Sequence, residues 1–160
     1  MSTLQSTRQE TNTVRPAVDV LRLISLILIV IGIAVSGYLS YVKLTNVAMI
    51  CAEGGSFNCD VVQNSAYSRL LGIPIAYMGL ATYLVMGGLL LFGDRIPVIR
   101  DYNVVLFFAI NLFAFLFSMW LVYVQVGILE ALCVWCLAHE VIITILFGIS
   151  ILRLRRHMSA

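Results

Sequence analysis

Charged residues are scarce in this chain of 160 amino acids. They make up 11% of the sequence, whereas hydrophobic residues make up 61%, and the mean hydropathy is +1.01. A soluble domain usually contains about 25% charged residues. The sequence therefore has too little polar surface to cover its core in water, and we expect lipid to cover it.

Basic clusters and nucleic-acid-binding motifs are also missing. The ten lysines and arginines are scattered along the chain, which has a net charge of only +2, so we expect no nucleic-acid partner. The first apolar run is longer than the roughly 7–15 apolar residues of a cleaved signal peptide. We expect it to remain as a first membrane span.

Four apolar runs are long enough to cross a membrane, which takes about 20 helical residues. They cover residues 20–42, 73–92, 104–126 and 131–152. We predict an all-α integral membrane bundle of four helices with one long loop. The predicted division of the chain is a flexible cytoplasmic tail (1–19), a catalytic four-helix domain (20–153) and a basic cytoplasmic tail (154–160).

Arginine and lysine positions predict the orientation, because these residues favour cytoplasmic loops. Eight of the ten fall on one side of a four-span topology: Arg8, Arg15, Arg22, Arg95, Arg100, Arg153, Arg155 and Arg156. Lys43 and Arg69 fall on the other side. Both termini are therefore expected in the cytoplasm, and the long loop outside the cell membrane.

The four cysteines all fall on the predicted outer side, where disulfides persist. Cys51 and Cys59 lie in the long loop, and Cys133 and Cys136 form a C-x-x-C motif at the start of the last span. A non-enzymatic membrane subunit with two structural disulfides is one interpretation. A helix N-terminus, however, favours a reactive thiolate, and so short a disulfide loop adds little stability. We therefore favour a redox-active pair.

Other functions fit the sequence less well. The interval between Cys51 and Cys59 is wider than zinc ligands usually have, and Leu137 stands where a haem-attachment motif requires histidine. No metal site is predicted. A small transporter is disfavoured because few polar residues lie deep in the spans.

The long loop is expected to contain a short helix over residues 60–71, whose apolar side would rest on the membrane. That side would comprise Val61, Val62, Leu70 and Leu71. Gly54 and Gly55 either make the segment between the loop cysteines flexible or simply form a turn.

The order of these motifs resembles the vitamin K epoxide reductase family in its bacterial form. The motifs are Cys51-x7-Cys59-Asp-Val-Val-x-x-Ser65, Leu71-Gly-Ile-Pro74 at the start of a span, and Cys133-x-x-Cys136 at the start of the last one. The resemblance extends over about residues 20–152. It implies a membrane thiol:quinone oxidoreductase that supports disulfide bond formation, with ubiquinone or menaquinone as electron acceptor.

The resemblance also implies roles for single residues. Cys133 and Cys136 would be the active-site dithiol, with Cys136 nearest the quinone. Cys51 would meet the redox partner and Cys59 would exchange with Cys133. Ser65 matches a loop serine that family members need for activity. Spacing does not decide whether Cys51–Cys59 or Cys59–Cys133 is the resting disulfide.

Some members of the family have a fused thioredoxin-like domain after the last span. We expect none here, and therefore a separate thioredoxin-like partner outside the membrane. The chain departs from the family pattern at the residues that bind the quinone. Glu140 stands where the animal enzymes have a tyrosine that binds the quinone, and Tyr77 lies in the stretch where they have an asparagine. We expect Glu140, Tyr77 and His139 to contact the quinone.

Overall fold

The computed structural model describes residues 3–51, 54, 56–100 and 102–159, with side chains from residue 20 onward apart from 94, 98 and 100. The long helices are α1 (Thr3–Thr45), α3 (Ile75–Phe92), α5 (Asn103–Tyr123) and α6 (Val134–Ser159). Two shorter helices, α2 (Cys59–Asn64) and α4 (Pro97–Arg100), lie between them. A π-helical turn, Val124–Ile128, extends α5.

Four helical segments are long and apolar enough to cross a membrane, which confirms the predicted all-α membrane fold. They are Val20–Thr45, Ile75–Phe92, Asn103–Ile128 and Val134–Ser159. Large apolar side chains on their outer faces, such as Val30, Leu116 and Val141, are more than half exposed and can contact lipid. The tails predicted at 1–19 and 154–160 stay predictions, and the side chains of Arg8, Arg15 and Arg100 lie outside the described residues.

The bundle is held together mainly by α1 against α3 and by α6 against α1 and α5. Its core contains Ile29, Tyr83, Met86, Phe107 and Leu146. α1 and α3 approach closely because Gly32 has no side chain: a Cβ there would lie 2.4 Å from the Tyr83 ring.

The predicted loop helix exists, but its predicted extent of 60–71 is wrong. α2 ends at Asn64 because Ser65 has an extended backbone, and both its N–H and its Oγ donate to the Val62 carbonyl. A 3-10 turn (Ala66–Ser68) and a hairpin of β1 (Arg69–Leu70) with β2 (Ile73–Pro74) follow. Leu71 is at the hairpin tip and 96% exposed.

The segment between the loop cysteines turns back on itself. The Phe57 N–H donates to the Gly54 carbonyl at 3.3 Å, which supports the interpretation of this segment as a turn. Gly55 lies outside the described residues.

Candidate functional site

All four cysteines lie at one end of the bundle, where α1 and α5 end and α3 and α6 begin. Cys51 and Cys59 form a disulfide with a Cα–Cα distance of 6.2 Å, and Cys133 and Cys136 are free thiols. Of the two pairings left open by the sequence, the structure contains Cys51–Cys59. Cys59 is 1% exposed and Cys133 is 0% exposed, and both belong to one buried cluster. The structure therefore packs the second loop cysteine with the first cysteine of the C-x-x-C motif.

Backbone hydrogen bonds fix the loop against the start of α6. The Asn58 N–H donates to the Leu132 carbonyl at 3.0 Å, and the Leu132 N–H donates to the Ser56 carbonyl at 2.8 Å. The Asn58 side chain also caps α2 by accepting from the Val61 N–H at 3.2 Å. The residues directly before Cys59 are thus paired with the residue directly before Cys133.

Two aromatic side chains hold the segment that leads to Cys51. Trp135 Nε1 donates to the Ile50 carbonyl at 2.8 Å, and the Ile50 N–H donates to the Tyr38 hydroxyl at 3.1 Å. The rings of Tyr38 and Trp135 pack with centroids 4.6 Å apart. Both loop cysteines line one surface cleft, but Cys51 is half-buried whereas Cys59 is buried. An external protein can therefore reach Cys51 more easily than Cys59.

Cys133 lies at the N-terminus of α6, where its surroundings favour the thiolate. A hydrogen bond from the Cys136 side chain lowers the pKa of Cys133 from 9.0 to about 7, with help from backbone N–H groups and against the effect of burial. The backbone N–H of Cys133 donates to the buried side chain of Gln125 at 3.1 Å. This arrangement fits a cysteine that takes part in thiol–disulfide exchange near neutral pH.

A cavity of about 150 Å³ begins beside Cys136 and extends between the helices. Its walls come from α1, the long loop, α3, α5 and α6, and they are mainly apolar. An apolar cavity of about this size in another protein binds benzene, so the space can admit a single ring. Among the described residues, Ser36 Oγ is buried on this wall without a hydrogen-bond partner, so it can bind a polar atom of a ligand. The cavity therefore fits a quinone head group.

The structure brings most of the predicted site residues to this cavity. Cys136, His139, Glu140 and Ser65 line it. Tyr77 is half-buried and is not among the lining residues, although its neighbours Ala76 and Met78 are. Within the described part of the chain, no three histidine, cysteine or acidic side chains are close enough together to bind a metal ion.

Sequence reasoning missed Gln63 and Ser118. Gln63 Nε2 lies 3.8 Å from Cys136 Sγ, and the Gln63 carbonyl accepts from Lys43 Nζ at 2.7 Å. Gln63 follows Cys59 by four residues, so a helix that began at Cys59 would have placed both on one face. Ser118 of α5 donates a hydrogen bond to the carboxyl group of Glu140. No local sequence signal indicates this contact, because it joins two separate spans.

Comparison with known families tests the resemblance directly. The model of the vitamin K epoxide reductase family matches residues 23–151, which is most of the chain. The chain belongs to this family. The matched residues include all four cysteines, the loop helix and the cavity residues. Membership in this family supports the general function of a membrane thiol:quinone oxidoreductase. The resemblance inferred from the sequence is thus confirmed.

Proposed function

We propose that this vitamin K epoxide reductase family protein oxidises a separate thioredoxin-like protein outside the cytoplasm and reduces ubiquinone or menaquinone. The net result would be disulfide formation in exported proteins. One observation carries the proposal: the C-x-x-C motif packs against the loop disulfide through Cys133 and opens into a ring-sized cavity through Cys136. Electrons can therefore enter and leave by different cysteines.

The first exchange takes place at the loop disulfide. A thiolate of the partner attacks Cys51, which is the more accessible sulfur, and Cys59 leaves as a thiolate. The second thiol of the partner then releases Cys51, so the partner departs oxidised and the loop pair is reduced. Burial of Cys59 directs its next attack to the neighbouring Cys133 rather than to solutes in water.

The second exchange moves the electrons to the active-site pair. The Cys59 thiolate attacks Cys133 in the Cys133–Cys136 disulfide, and Cys136 leaves as a thiolate. Cys51 then attacks Cys59, which restores the loop disulfide and leaves Cys133 and Cys136 reduced. The described structure has this combination of one loop disulfide and two free thiols.

A quinone, when bound, supplies an acceptor for two electrons and two protons. The residues that would hold it are Cys136, Ser65, His139 and Glu140, with Ser36 offering an unpaired hydroxyl group. α2 and the 3-10 turn that follows it contribute Val62, Gln63 and Tyr67 to the wall of the cavity beside the reacting thiol. The dithiol gives up its two electrons and closes as the Cys133–Cys136 disulfide.

The test is steady-state quinone reduction by the purified protein, supplied with a reduced thioredoxin-like protein. We expect wild-type turnover, no turnover in Cys136→Ala, and near-normal turnover in Val141→Ala, which alters a lipid-facing residue of the same helix. An inactive wild-type protein with both cysteine pairs resistant to reductant would overturn the proposal and favour structural disulfides.

We also propose that both termini are cytoplasmic and that the cysteines face outward in the cell membrane. The distribution of eight cationic residues against two supports this orientation. After mild reduction of intact cells, a membrane-impermeant maleimide should label Cys51. Labelling that requires permeabilised membranes would contradict the proposed orientation.

A further inference from the structure

Glu140 is the one acidic side chain in the four membrane spans. An ionisable group inside a membrane is costly and is retained mainly where it has a function. Glu140 follows Cys136 by four residues, so the two side chains share one face of α6, with about 5–6 Å between their Cβ atoms. Both line the same cavity. The reactive thiol and the carboxyl group therefore face the same space for the acceptor.

Two hydroxyl groups fix the position of this carboxyl group. Ser118 of α5, which is 5% exposed, donates to Glu140 Oε2. Thr144, one turn further along α6, donates to Oε1 at 3.5 Å. These bonds replace part of the hydration that Glu140 loses in the membrane. Both donors are neutral hydroxyl groups.

The other ionisable groups around Glu140 are Cys136 and His139 on α6 and Tyr83 on α3, and Tyr67 of the 3-10 turn also lines the cavity. His139 and Tyr83 contact each other with ring centroids 5.3 Å apart. Across the cavity wall formed by the described residues of α1, α3, α5 and α6 there is no lysine or arginine. A salt bridge therefore does not explain why this wall contains a carboxyl group.

We propose that Glu140, held by Ser118, relays a proton from the Cys136 thiol to the acceptor oxygen in the cavity. The Cys136 S–H bond breaks and an O–H bond forms on Glu140; that O–H bond then breaks as one forms on the acceptor. The two electrons come from the dithiol, which becomes a disulfide. Cys133 releases the second proton to water when it ionises. The acceptor takes up its second proton from water at the outer surface. General acid–base catalysis needs direct hydrogen-bond contact between the two groups or one bridging water molecule.

The inference rests on the proposed function, and the alternative is a structural bond between α5 and α6. Two variants separate these roles. Glu140→Gln keeps an oxygen that can accept from Ser118 but cannot carry the proton. Ser118→Ala removes the bond between helices and leaves the carboxyl group in place. If Glu140 is a relay, Glu140→Gln should slow quinone reduction more than Ser118→Ala does. If the bond is structural, Ser118→Ala should lower the stability of the protein more than Glu140→Gln does.

The first measurement is the rate of quinone reduction over a range of pH, with a small dithiol as reductant. Proton transfer by a positioned side chain accelerates a reaction about 10²-fold or more, so we expect the rate in Glu140→Gln to fall by about that factor. Glu140→Asp should recover part of the rate, because it restores an acid. Glu130→Gln, which changes an exposed acid outside the cavity, should behave as wild type.

The second measurement needs no quinone. Infrared difference spectra between the dithiol and disulfide states should contain a carboxyl band that is absent in Glu140→Gln and shifted in Ser118→Ala. Wild-type rates in Glu140→Gln, or identical infrared spectra in the two proteins, would overturn the relay and leave the oxidoreductase intact. A wild-type protein that reduces no quinone would overturn both.

Discussion

Replacement of Cys136 by alanine should raise the pKa of Cys133. The hydrogen bond from Cys136 is the largest cause of the low Cys133 pKa, and burial acts in the opposite direction. When that bond is removed, burial and the opposing backbone N–H groups remain, so the pKa should rise from about 7 toward the ordinary value of 9.0. Cys136→Ser keeps a hydroxyl donor at the same position and should retain part of the effect.

The expected change in reactivity follows from the thiolate fraction. At pH 7, a thiol with a pKa of about 7 is about half ionised, whereas one with a pKa of 9 is about 1% ionised. The more acidic thiolate is roughly 6- to 10-fold less nucleophilic, because reactivity falls with pKa. The net advantage of the native Cys133 at pH 7 is therefore about 5- to 8-fold. Below pH 7 both thiols become protonated and both react more slowly, but the native Cys133 keeps its advantage; above about pH 8 the higher-pKa thiol is also ionised and the advantage is lost.

Thiolate absorbance measured against pH gives the pKa directly. The titration should be made with Cys51 and Cys59 both replaced by alanine, so that no disulfide exchange occurs and only two thiols remain. The parent should show a first step near pH 7, and the protein with Cys136→Ala added should show one step at clearly higher pH. A step that stays near pH 7 without Cys136 would refute the assignment of the shift to this hydrogen bond.

Three further changes test other contacts. Gln63→Ala removes the amide beside the cavity thiol, so quinone reduction should slow about two- to tenfold, as expected for one hydrogen bond. Trp135→Phe keeps the aromatic packing but loses a bond to the long loop; KM for the thioredoxin-like partner should rise about two- to tenfold, with turnover of a small dithiol unchanged. Gly32→Ala should destabilise the bundle by about 1–3 kcal/mol in thermal unfolding, because its Cβ would meet the Tyr83 ring. Gly37→Ala, with no atom within 4 Å of its Cβ, is the matched control.

Much of the fold was predictable because membrane spans depend on length and composition, which the sequence displays directly. The four spans differ from their predicted limits by at most a few residues, with one exception. α6 continues to Ser159 through polar residues that are not typical of a membrane span. The loop helix was predicted too long, because its end depends on how Ser65 bonds back to Val62. The pattern of apolar residues does not indicate whether the backbone of Ser65 is helical or extended.

The cysteines of the site were predictable from their spacing and from their place at a helix N-terminus. Contacts across the cavity were harder to predict, because a helix that is apolar all round gives no indication of which face points inward. The family resemblance predicts Tyr77 at the cavity, whereas its neighbours Ala76 and Met78 line it. Gln63 depends on the docking of α2 onto α6, which only the three-dimensional structure reveals.

A single-turnover experiment tests the central claim most directly. The protein with a reduced Cys133–Cys136 pair is mixed without oxygen with a short-chain ubiquinone, and quinol and disulfides are quantified together. We expect one quinol for each Cys133–Cys136 disulfide formed, and neither product in Cys136→Ala. Quinol formation that is independent of Cys136, or a dithiol that stays reduced beside excess quinone, would contradict this claim.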